Sequence, residues 1–65
     1  MIMMIPKWAK KQLRELADQR FKGWEPACGG EFSEVGEYYL IWVNDKDLHS
    51  THIFKINKKG GNNEN

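Results

Sequence analysis

Apolar and polar residues follow three different patterns along this 65-residue chain. From Lys7 to Lys22 there is no Gly or Pro, and good helix formers such as Ala9, Gln12, Leu13, Glu15 and Leu16 dominate. At about 100° per residue, Ala9, Leu13, Leu16, Ala17 and Phe21 share one arc with Trp8 at its edge, which predicts an amphipathic helix. Pro6 suits the first turn, where its missing N–H would have no partner. Gly23 is placed to end the helix, after Arg20 and Lys22, whose charges suit the negative end of the helix dipole.

The second pattern is Glu37-Tyr38-Tyr39-Leu40-Ile41-Trp42-Val43, in which six apolar or aromatic residues follow one another. Strand-favouring residues dominate, so the run reads as a central strand, apolar on both alternating faces. The third is Ser50–Ile56, rich in β-branched residues, which reads as a second strand. Asn44-Asp45-Lys46-Asp47 then serves as a polar turn closing a hairpin. A shorter strand is expected around Phe32, followed by a turn at Glu34-Val35-Gly36 with Gly36 at positive φ. Trp24–Gly30 reads as a connection, because Pro26 and the Gly29-Gly30 pair interrupt regular structure. Lys58–Asn65 contains no apolar residue and reads as a disordered polar tail following a single domain over residues 1–57.

These elements predict an α+β fold: one N-terminal amphipathic helix packed on a small antiparallel meander of two to three strands. One helix covers one sheet face. Pairing Tyr38 with Phe54, Leu40 with His52 and Trp42 with Ser50 would set Tyr38, Leu40 and Trp42 against the helix together with Phe54 and Ile56. It would leave Tyr39, Ile41, Val43 and Ile53 on the uncovered face, as an apolar partner surface.

Composition sharpens this picture. A chain so short buries only roughly 60% of its unfolded surface, so an aromatic core or self-association must support it. Cys28 is the only cysteine, which excludes an internal disulfide and fits a reducing compartment. The apolar start at residues 1–5 is too short for a signal peptide or a membrane span, so a cytoplasmic location and no membrane contact are expected.

The net charge of +1 conceals a division. Residues 1–23 carry six basic and two acidic groups, whereas residues 24–54 carry one basic and six acidic. Lys7, Lys10, Lys11 and Arg14 form a basic stripe on the outer helix face. Their like-charge i,i+4 spacing and their place at the positive end of the dipole both oppose helix stability. Such a stripe is most often a solvated lysine face; the functional alternatives are an electrostatic rim for an acidic protein surface and a contact for nucleic acid.

No catalytic constellation accompanies these features. Cys28, His49, His52, Asp45 and Asp47 are ligand types without metal-site spacing. Gly29-Gly30 lacks the residues of a phosphate-binding loop. Neither enzyme activity nor a metal or cofactor is expected. The reading is a small protein-binding module, an inhibitor or adaptor of the kind carried by phages or mobile elements, docking through Tyr39, Ile41, Val43 and Ile53. The alternative is a nucleic-acid-binding module that uses the basic helix face. A homodimer through the sheet face, or by edge pairing of the last strand, accompanies the first reading.

Overall fold

The computed structural model describes residues 5–45 and 50–60. Helix α1 spans Lys7–Arg20, and the strands are β1 (Glu25–Pro26), β2 (Phe32–Val35), β3 (Tyr38–Asp45) and β4 (Ser50–Asn57). One helix packs on one face of a four-stranded antiparallel sheet, so the α+β arrangement is the expected one.

Pro6 caps the helix start in extended geometry, and its carbonyl accepts the N–H groups of Ala9 and Lys10. The helix ends at Arg20, two residues before the expected boundary. Phe21 leaves it in extended conformation, with its N–H still donating to the Ala17 carbonyl. Its ring stacks on His52 at 4.2 Å and lies 6.1 Å from Phe54, so a tertiary contact ends the helix ahead of Gly23.

The central strand β3 holds the sheet together. β4 pairs along its whole length, from Tyr38↔Asn57 to Asp45↔Ser50. On its other edge lie β2 (Phe32↔Ile41 to Val35↔Tyr38) and β1 (Glu25↔Asn44, Pro26↔Val43), in line with one another. Trp42 marks the break between them: its carbonyl accepts from Ala27 and its N–H donates to Glu31. Cys28, Gly29 and Gly30 are therefore extruded from this edge, closed by a Gly30 N–H to Ala27 carbonyl bond and by a positive φ at Gly30. Glu34 and Val35 belong to β2, not to a turn. The turn is Gly36-Glu37, with Gly36 at φ 57° as a tight hairpin requires.

The register differs from the expected one by three residues, and an odd shift exchanges the faces of β3. Tyr39, Ile41 and Val43 face the helix; Tyr38, Leu40 and Trp42 do not. Ala9, Leu13, Ala17, Ile41, Val43 and Ile56 form the fully buried core, with Ile5, Leu16, Trp24, Phe32, Tyr39 and Phe54 packed around it. Phe54 and Ile56 meet the helix as expected, but opposite Ile41 and Tyr39. The shift arises at the turn. Asn44 and Asp45 continue β3, and Asp45 is buried, so the two strands converge later than a turn at Asn44 would allow. Of that expected turn, Lys46 and Asp47 lie outside the described residues, as do His49, Met1–Met4 and residues 61–65 of the polar tail. Lys58 N–H donates to the Glu37 carbonyl, and its ammonium lies 3.1 Å from Glu34.

Replacing Ile41 by Ala should lower stability by about 2–4 kcal/mol, because the cavity lies directly under the helix. Val35→Ala, on a residue 61% exposed, should change it by about 0.5 kcal/mol or less. Urea unfolding midpoints check both, and the expected register predicts a much smaller loss at Ile41.

Candidate interaction surface

The basic stripe is positioned by the first half of α1, and the structure divides it. Lys10 Nζ lies 5.6 Å and the Arg14 guanidinium 5.1 Å from the centre of the Phe32 ring. Arg14 also donates to both carboxylate oxygens of Glu31, at 3.1 and 3.2 Å. That bonding holds the guanidinium charged above its ordinary range, partial burial opposes it, and the nearby negative charge adds to it. Lys7 and Lys11 stand exposed. All four residues belong to the helix layer, on the opposite side of the sheet from Tyr38, Leu40 and Trp42. The stripe is therefore not a rim around the uncovered face.

That face is built by alternation. With Tyr39, Ile41 and Val43 turned to the helix, Tyr38, Leu40, Trp42 and Asn44 point away. Their cross-strand neighbours are Val35 and Ser33 on β2, Glu25 on β1, and Thr51, Ile53, Lys55 and Asn57 on β4. Of the four residues expected there, only Ile53 is present; Ile41 and Val43 are fully buried on the other side, and Tyr39 is half-buried there with Trp8 edge-on at 6.0 Å. Val35, Ile53 and Tyr38 are 61%, 50% and 39% exposed.

The polar groups of this face are mostly engaged. Trp42 Nε1 donates to Ser33 Oγ at 2.8 Å, and Thr51 Oγ1 donates to Asn44 Oδ1 at 2.8 Å. Lys55 lies over the Tyr38 ring, 4.5 Å from its centre. A hollow of about 360 Å³ opens beside Trp42, lined by Ala27, Gly29, Gly30, Phe32 and Ser33.

Of the groups considered for chemistry, Cys28, Asp45 and His52 are among the described residues. Cys28 is exposed in the extruded turn. His52 Nε2 is buried, 3.8 Å from Asp45 Oδ2 and without a hydrogen bond, on the helix side of the sheet. Among the described residues, no group of three His, Cys, Asp or Glu converges as a metal site would require. No described helix is long and apolar enough to cross a membrane. Compared with protein-family models, curated proteins and solved structures, the chain matches none.

The signal for the true uncovered face was the polar atom of Trp42. Trp42 carries an N–H that needs a partner and finds it in Ser33, whereas Ile41 and Val43 can be buried at no such cost; the two tyrosines, alike in their hydroxyls, do not discriminate. Arg14→Lys should lower stability by up to about 1 kcal/mol at low salt, because Lys cannot reproduce the two-pronged bond to Glu31 and the ring contact together. Urea unfolding in low and high salt checks this, and the deficit should shrink as salt screens the pair.

Proposed function

We propose that this chain is a non-enzymatic binding module that docks on another protein through the uncovered sheet face. The supporting observation is that Val35, Tyr38, Leu40, Trp42 and Ile53 lie together on one face with a single cation, Lys55, among them. With Glu25 the charged group at its β1 corner, a surface holding one cation suits a largely apolar protein surface and offers little to a phosphate backbone. The hollow beside Trp42 has room for one apolar side chain of the partner, and a buried aromatic anchor is the usual centre of such contacts. Docking of this kind inhibits or bridges a partner without chemistry, which is the inhibitor or adaptor role.

The nucleic-acid reading is the weaker one. Lys10 and Arg14 are occupied by Phe32 and Glu31, so Lys7 and Lys11 are the freely exposed cations of the stripe.

Affinity capture from cell extract, with and without nuclease, tests the proposal. A specific protein should be retained after nuclease treatment, lost with Tyr38→Glu or Leu40→Asp, and kept with Lys7→Gln and Lys11→Gln combined. Retention that depends on nucleic acid, or on the two lysines and not on Tyr38 and Leu40, would overturn it.

A further inference from the structure

The two edges of the sheet are built differently. The β1–β2 edge is broken by the extruded Cys28-Gly29-Gly30 segment, a device that blocks strand addition. β4 is eight residues long and pairs with β3 without interruption. The direction of its outer backbone groups follows from one bond. Lys58 N–H donates to the Glu37 carbonyl, so residues of even number in β4 pair with β3 and residues of odd number point outward. Ala27 and Glu31 bonding to Trp42 on the other edge gives the same phase. Thr51, Ile53 and Lys55 thus present their N–H and C=O groups at the outer edge. The edge ends at Asn57, whose carbonyl accepts from Gly60 and whose side chain accepts from Lys59.

We infer that the partner of this edge is the β4 strand of a second copy of the chain, paired antiparallel about a two-fold axis through Ile53. Only outward-pointing residues can exchange hydrogen bonds, so odd-numbered residues must face odd-numbered residues. A register centred on Ile53 uses all three free positions: Ile53 faces Ile53, and Thr51 faces Lys55 in both directions. Six hydrogen bonds form, and no two lysines are opposed. Odd-to-odd pairing also leaves both helices on the same side of one continuous sheet.

The flank of α1 accommodates this arrangement. The side of the helix lined by Gln12, Leu16 and Gln19, with Glu15, borders a groove of about 330 Å³ that ends at Gly60, just beyond β4. Lys10 and Arg14 lie on the Phe32 side of the helix instead. A helix seated on both β3 and β4 would meet its symmetry mate at about 10 Å, an ordinary packing distance, through this side of low charge. The contact would cover about 27 Å along the strand by the 18 Å depth of the molecule. That is about 1,000 Å² over both copies, the lower limit for a specific dimer.

Sedimentation over a concentration series tests the inference on the full chain. A dimer should form as concentration rises. Ile53→Pro removes one outward N–H that the protomer itself does not use, so it should give a folded monomer by circular dichroism. Charge changes at Thr51 keep the test decisive if that variant unfolds. Thr51→Lys should weaken the dimer and Thr51→Glu should tighten it, each by roughly 2- to 30-fold, because residue 51 faces Lys55 twice. Both variants lose the Asn44 hydrogen bond, so their difference reports the pairing alone. In a Cys28→Ser background, Ile53→Cys should oxidise to a linked dimer, since facing hydrogen-bonded residues lie within disulfide reach; Val35→Cys should not. Three results would overturn the inference. One is a monomer at every concentration, whether the amides of residues 51, 53 and 55 exchange quickly or are shielded by the chain itself. The second is a dimer indifferent to the charge at position 51. The third is a dimer lost with Leu40→Asp but cross-linked equally at positions 35 and 53.

Discussion

The packing of α1 on Tyr39, Ile41 and Val43 is the constraint on which the rest of the molecule depends. Ala9, Leu13 and Ala17 form its fully buried stripe, and the two alanines let the helix approach the sheet closely. Ile41 and Val43 fill that contact from the central strand, and Ile56 fills it from β4. Among the described residues, no second layer lies on the other side of the sheet. One face of β3 becomes core, and the other is left uncovered although its side chains are equally apolar.

The helix and the central strand were legible because their patterns carry direct physical meaning. A 3.6-residue stripe bounded by Pro6 and Gly23 admits one interpretation, and seven residues from Glu37 without Gly or Pro admit little besides a strand. The choice of face was not legible from hydrophobicity. Alternation in Tyr38–Val43 is apolar on both phases, so its period gives no inside and outside. The phase is fixed by register, and register depended on whether Asn44 and Asp45 turn or extend. Both residues favour turns by type, yet Asn44 is held in the strand by Thr51, and Asp45 is buried opposite Ser50. The extruded turn was legible in part: Gly29-Gly30 signalled irregular backbone, but the return of Glu25-Pro26 to pair with β3 is a tertiary event with no local signature.

Charge is used here largely to shield rings. Lys10 and Arg14 lie over Phe32, Lys55 over Tyr38, and Lys58 over Tyr39. In each case the charged head itself lies over the ring, 4.5–5.6 Å from its centre, where the negative face of the ring attracts it. This changes the meaning of the basic stripe. Its cost to the helix, through like-charge neighbours at the positive dipole end, is offset at Lys10 and Arg14 by contacts to β2 and to Glu31. Phe32 and Glu31 are thereby tied to the helix, which fixes the position where the edge strand resumes after its extrusion.

The difference between the two edges also bears on how far association can proceed. A sheet with two regular edges can add copies without end, because each addition exposes a fresh edge. Here the β1–β2 edge is interrupted at Trp42, where Ala27 and Glu31 both bond to one residue. Pairing through β4 about a two-fold axis uses the regular edge of both copies at once. It would leave only interrupted edges outside, so that assembly would stop at two. The uncovered faces would then be continuous across the two-fold, with the Ile53 pair at their centre and Val35, Tyr38, Leu40 and Trp42 repeated on each side. A surface of that extent would bind a two-fold partner, or two copies of a single partner, more strongly than either half alone, through effective concentration and with no new contact.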